Sequence, residues 1–133
     1  PDPSAHVILP EIVSKEPLGP VTRQGDEVWG DIVRWTLNSM IIAEELGITS
    51  DNAAAMAADA DASAGVKRLL GVEGGYGAML GLADDAFLNA LSQVGNDAES
   101  FDRNVGPETA VGLDRGLHAL GPDGGILYAP PFR

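Results

Sequence analysis

Few residues of this chain have types that could carry chemistry, and their spacing decides what each can do. Asp59-Ala60-Asp61-Ala62-Ser63 sets acids and a hydroxyl at alternate positions, as the opening of a calcium loop does. Such a loop needs Gly at its sharp turn, where Ala64 stands, and a closing bidentate acid where Leu70 stands. The run therefore reads as a solvated acidic loop. Gly75, Gly77 and Gly81 resemble a dinucleotide fingerprint in composition, but the third glycine belongs where Leu80 stands and no strand precedes them, so a flexible turn is the better reading. His6 lies in a connector and His118 one helical turn after Asp114, a spacing that either pairs them or leaves both in water, the blander reading being the better one. With no other His or Cys near either one, neither builds a metal centre. No serine sits in a GxSxG elbow and no HExxH occurs. The adjacent acids Glu44-Glu45 and Asp84-Asp85 would point in different directions on a helix and form no catalytic pair. Trp29 and Trp35 do not share a helical face, which makes them packing anchors rather than a stacking clamp. Nothing in this inventory argues for an enzyme, a cofactor or a metal.

The elements that must position these residues are mostly helices. Residues 7–21 read as an extended strand and hinge: Ile8, Leu9, Ile12 and Val13 fit a pleated surface, while Pro10, Pro17 and Pro20 confine the segment to an edge or crossover. Arg23-Gln24-Gly25 turns the chain, Asp26 is a candidate N-cap, and Gly47 is a stop, framing a helix of about five turns at roughly 3.6 residues each. Its apolar residues, from Val28 and Trp29 to Ile42 and Leu46, occupy nearly every face, and such a helix must be surrounded by protein. A weak Ala-rich helix over 51–60, capped by Thr49 or Ser50, should follow, then a short helix over 66–70 stopped by Gly71. The glycine-rich run gives a loop with up to two helical turns. Asp84 is expected to cap a helix whose buried stripe is Ala86, Phe87, Ala90, Leu91 and Val94, ended by Gly95. Helices over 98–104 and 110–120, a turn at 121–125, and an extended tail enforced by Pro130 and Pro131 complete the chain. The fold class is mainly α with one extended hinge-strand segment.

Composition bounds the rest. The 133 residues suit one domain, and 44 % are hydrophobic but only 5 % aromatic, so alanine carries much of the apolar share and each burial contributes little. Seventeen Gly and nine Pro keep the helices short. Twenty acids against eight basic residues give a formal charge of −12, which repels phosphate backbones and anionic lipids and argues against nucleic-acid binding and membrane insertion. Zero cysteines exclude disulfides and thiolate chemistry. No run of about 18 apolar residues is present to span a bilayer.

The block VILPEIVSKEPLGPV followed by DEVWGDIVRWTLNSMIIAEELGIT, then KRLLGVEG, QVGN, FDRNVG and LYAPPFR, resembles the C-terminal part of periplasmic general (polar) L-amino-acid-binding proteins. These are family 3 extracellular solute-binding proteins, which serve ABC importers. The resemblance implies the C-terminal part of a two-lobe α/β periplasmic-binding-protein-like fold that closes around one amino acid. Residues 1–25 would end the second lobe and return as the hinge strand, and 26–133 would form the C-terminal helical part of the first lobe. It further implies an L-amino-acid ligand whose main contacts lie outside this chain, an ABC permease as partner, a periplasmic location, and a precursor with a signal peptide. Lys15 and Glu16, at the implied crossover, are the only candidates near the cleft. Glu16 is able to attract an ammonium group, and the plainer alternative is a hinge-surface ion pair. Gly30, Asp97-Ala98 and Gly121-Pro122 stand where relatives carry larger, often aromatic residues, so the helical cover should be looser. The competing expectation is an isolated interaction domain that dimerises through its exposed long helix, or that pairs with a complementing N-terminal part.

Overall fold

The computed structural model describes residues 2–7, 9–11, 13 and 18–133. Its organising element is α1, Glu27–Glu45, a helix begun by Asp26, whose carboxylate accepts the Trp29 N–H at 3.2 Å. It ends at Gly47, whose φ of 67° opens the left-handed conformation that L side chains resist. There the Gly47 N–H donates to Glu44 O at 3.1 Å and the Ile48 N–H to Ala43 O at 2.8 Å, a Schellman motif that leaves Ile48 fully buried under the last turn.

Five shorter helices follow: α2 (Ala53–Ala58), α3 (Ala64–Leu69), α4 (Tyr76–Met79), α5 (Ala86–Val94) and α6 (Asp97–Asn104). The Schellman ending recurs at Gly71 after α3 and at Gly81 after α4, with Val72 N–H bonded to Lys67 O and Leu82 N–H to Gly77 O, both at 2.9 Å. Gly71 is also a point of close approach, because a Cβ there would lie 1.9 Å from the Asp84 carbonyl oxygen. The core is a single cluster in which the C-terminal half of α1 (Ile41, Ile42, Ala43) meets Leu69 and Leu70 at the end of α3 and Phe87 and Leu91 of α5. The tail closes it: Phe132 is buried with its ring 5.1 Å from Trp35, 5.0 Å from Tyr76 and 5.2 Å from Phe87.

Several expectations are corrected. Among the described residues of 7–21 no strand forms, and Val7, Leu9, Val13, Leu18 and Val21 are exposed; an extended segment needs a neighbouring strand to make a ladder, and this stretch meets none. The remaining residues of that expected strand, Ile8, Ile12 and 14–17, lie outside the described residues. Among the described residues the one β-bridge is the isolated parallel pair Leu120–Leu127. The helix expected over 110–120 is instead an irregular excursion with one 3-10 turn, Gly116–His118. Gly112 and Gly116, at φ of 67° and 48°, break the helical path that the Leu113, Leu117 and Leu120 spacing suggested. Helix α2 is shorter than expected, since Asn52 precedes it and takes up the Thr49 N–H at 2.7 Å, while Ser50 turns away to Glu99. Asp84 does not cap α5; its carboxylate accepts the Ala78 N–H at 3.3 Å and ties back to α4. In α5 itself Phe87 and Leu91 are buried and Val94 is exposed.

Candidate functional site

The two residues singled out near a cleft, Lys15 and Glu16, lie outside the described residues. The acidic run at Asp59 folds on itself, with the Asp61 N–H donating to Asp59 Oδ1 at 2.9 Å and Lys67 Nζ donating to Ala60 O at 2.7 Å. No group of three metal-ligating side chains comes together among the described residues. His6 stays in the exposed N-terminal turn against the Asp2 carbonyl at 3.0 Å. The Gly-rich run makes the single turn of α4.

Sequence reasoning missed two polar nodes. In the first, Arg115 Nη1 and Nη2 donate to the two oxygens of Glu44 at 2.8 and 3.0 Å, and Nη2 also reaches Asp97 Oδ2 at 3.2 Å. His118 sets Nε2 3.2 Å from the same Asp97 oxygen, so its acid partner is Asp97 and not Asp114, one turn away in sequence. Its ring stacks on Phe101 at 5.2 Å, and the Arg115 guanidinium lies 5.5 Å from the same ring's centroid. Of the two adjacent acids, Glu44 is thus a largely buried ion-pair partner, while Glu45 is exposed. In the second node Asn96 caps α6 by accepting the Glu99 N–H at 2.9 Å, and Glu99 reaches back to the Asn96 N–H at 2.8 Å, a reciprocal capping box. The same carboxylate accepts the Ser50 hydroxyl at 2.6 Å, and Asn96 Nδ2 donates to the Ile48 carbonyl at 2.8 Å. Burial pushes the Glu99 carboxyl up, but the Ser50 and Asn96 hydrogen bonds and the Arg103 charge together hold it below its ordinary value. The Asn-x-x-Glu spacing was the signal for this box; nothing local announced its partner Ser50. Both nodes fasten α6 and its neighbours.

What the described surface does present is apolar. Trp29 is 53 % exposed and Val28 67 % exposed, although both lie on the central helix. Trp29, Ile32, Val33, Leu37 and Met40 line one side of a shallow groove of about 320 Å³ closed at its end by Pro20. Trp35, by contrast, is half-buried in the aromatic cluster, so of the two expected anchors only Trp35 packs into this chain's core. A second recess of about 250 Å³ opens beside that cluster between Trp35, Tyr76, Met79 and Pro131. No described helix is long and apolar enough to cross a membrane.

No protein-family model matches the chain. It is 50 % identical, over its whole length, to the glutamate/glutamine/aspartate/asparagine-binding protein BztA of Rhodobacter capsulatus, covering 39 % of that protein. It is 49 % identical to the putative amino-acid ABC transporter-binding protein YhdW of Escherichia coli and 48 % identical to the general L-amino acid-binding periplasmic protein AapJ of Rhizobium johnstonii, with 99 % of the chain and 38 % and 39 % of those proteins covered. A solved ABC transporter periplasmic binding protein from Brucella ovis, with glutathione bound, superposes with a TM-score of 0.89 at 45 % identity, over 98 % of this chain and 41 % of that one. The chain therefore spans about two fifths of the length of the proteins it matches. Each of those proteins is named as a binding protein, and YhdW and the Brucella protein as ABC transporter components. The resemblance read from the sequence is correct: the chain is homologous to a portion of periplasmic amino-acid-binding proteins of ABC transporters.

Proposed function

We propose that this chain acts as the C-terminal portion of an amino-acid-binding protein of an ABC importer, supplying hinge and scaffold while the main ligand contacts come from the rest of the receptor. Residues 1–25 would close the second lobe and return as the hinge, and 26–133 would form the helical cover of the first lobe. The periplasm is its place of work, an L-amino acid its ligand, and the importer's permease its partner. Lys15 and Glu16 stay the candidates nearest the cleft, and the chain has no catalytic role of its own.

The observation that carries this reading is the contrast along α1. Its last turns, around Ile41 to Ala43, are enclosed by this chain's own side chains, whereas its first turns expose Val28 and Trp29 above an apolar groove. A helix apolar on nearly every face is stable in water only when its bare side is covered. In a receptor the cover would be the first lobe's remaining layers, as expected when relatives are more than twice as long as this chain.

The test is isothermal calorimetry with a panel of L-amino acids, on the 133-residue chain and on the same chain combined with the remaining portion of a homologous receptor. The combined protein should bind and the chain alone should not. Micromolar binding by the chain alone would place the ligand contacts inside it and end the proposal. A stable homodimer in sedimentation, unaltered by the complementing portion, would favour the dimerising interaction domain instead.

A further inference from the structure

One stretch of the chain is held by charge rather than by burial. After Gly106 the backbone leaves the core, and it rejoins at Leu120; those two residues are buried and none of residues 107–119 between them is. The first end is pinned by fit, since a Cβ on Gly106 would lie 2.5 Å from Asp102 Cα, and the second by the Leu120 side chain in the core cluster. The backbone hydrogen bonds of the excursion close on itself or on its own flanks, as in Leu113 N–H to Val105 O, His118 N–H to Arg115 O and Ile126 N–H to Leu117 O. Residues 110–114 and Gly116 line an open space of about 790 Å³ together with His6, Val7, Leu9 and Pro10. What ties it to the helices is Arg115, forked onto Glu44 of α1 and touching Asp97 of α6, with His118 beside it on Asp97 and Phe101. The Arg115 and Glu44 side chains are 18 % and 13 % exposed, so the pair is shielded enough to matter and still within reach of water.

We propose that residues 107–119 form a strap that opens and closes as one unit between its two pinned ends, with Arg115 as the hook that keeps it shut. A segment without buried residues opens at a free energy set by its few specific bonds, well below that of global unfolding. Release of the hook frees Glu44, Asp97 and the Phe101 ring to solvent while α1 and α5 keep their packing. The inference rests on this chain's geometry and is independent of the transport reading.

Hydrogen exchange followed by mass spectrometry on the native chain tests it. Arg115→Met should exchange about 10- to 100-fold faster across 107–119 as a block, with α1 and α5 unchanged. Arg115→Lys retains the charge but not the two-pronged fit, so it should fall between wild type and Met. Unchanged exchange in 107–119 would overturn the proposal. Should Arg115→Met lose protection everywhere, Arg115→Lys decides by the same criterion: selective acceleration of the strap supports the hook, and uniform or absent acceleration refutes it.

Discussion

Glu99→Gln is the sharpest probe of how the helices are fastened together. The wild-type carboxylate accepts the Asn96 N–H at 2.8 Å, the Ser50 hydroxyl at 2.6 Å, and the Ser50 N–H at 3.1 Å from each oxygen. An amide of the same shape has one accepting oxygen and turns an N–H₂ toward donors, so at least one half-buried donor loses its partner, at about 1–3 kcal/mol. The Asn96 side-chain cap is untouched, which keeps the loss below that of deleting the whole box. The pH dependence follows from the direction of the Glu99 shift, which is downward despite burial. Near and below the ordinary glutamate value of about 4.3 the unfolded chain holds this proton more tightly than the folded one, so stability falls with acidification there. The stabilisation is complete above that value and is lost as pH drops through the lower folded-state value. Gln does not titrate. Urea unfolding of wild type and Glu99→Gln at a series of pH values from 7 to about 2.5 should therefore show a wild-type advantage that is full at neutrality and shrinks below about pH 4.3. An advantage that stays constant across that range, or grows in acid, would show that the carboxylate is not what holds Ser50 to α6.

Two further substitution pairs test the packing. Gly47→Ala should cost about 1–2 kcal/mol in urea unfolding, the strain of a left-handed alanine with open space around it, whereas Gly71→Ala should cost more than twice as much because its Cβ falls on the Asp84 carbonyl. Equal costs would mean that the Gly71 approach is easily relaxed. Phe132→Ala should lower stability by about 3–5 kcal/mol in the same assay, since the ring is buried among Trp35, Tyr76 and Phe87. Trp29→Ala should cost less than about 1 kcal/mol in this chain, its ring being more than half exposed, and the reverse ranking of the two would contradict the burial pattern.

The parts of the fold legible in the sequence are those decided by neighbours along the chain. Asp26 and Gly47 bracket α1 because a carboxylate cap and a left-handed glycine act within a turn of where they sit. The Phe87 and Leu91 spacing predicts the buried side of α5 for the same reason. Where reading failed, a distant partner decided the outcome. Leu113, Leu117 and Leu120 have helical spacing, yet Gly112 and Gly116 let the chain swing outward, and Arg115 finds Glu44 across the fold. Asp114 is one turn from His118 in sequence, but the partner that folding supplies is Asp97. The hinge strand was read from Ile8, Ile12 and the prolines, and a strand's existence depends on a neighbour that this segment does not meet among the described residues. The candidate cleft pair Lys15-Glu16 rested on resemblance alone, with no local spacing to support it.

The central helix shows why a homologous portion can look foldable and unfinished at once. Ala43 is fully buried and Ile41 and Ile42 are each 7 % exposed, so the C-terminal turns of α1 have found their partners within these 133 residues. Each large apolar side chain so buried contributes about 1.5–3 kcal/mol, enough with Phe87, Leu91 and Phe132 to hold a small helical core together. The N-terminal turns also carry large apolar side chains but gain less of that, because Val28 and Trp29 stay 67 % and 53 % exposed. Propensity does not account for the helix continuing there, since Gly30, Val28 and Ile32 are weak helix formers and Gly30 alone costs about 1 kcal/mol relative to alanine. Two features supply the difference: the Asp26 cap at one end and the buried turns at the other, which make the first turns an extension of an anchored helix. A helix carried past its own core keeps an apolar face in position for whatever layer packs on it, which is what the proposed scaffold role requires.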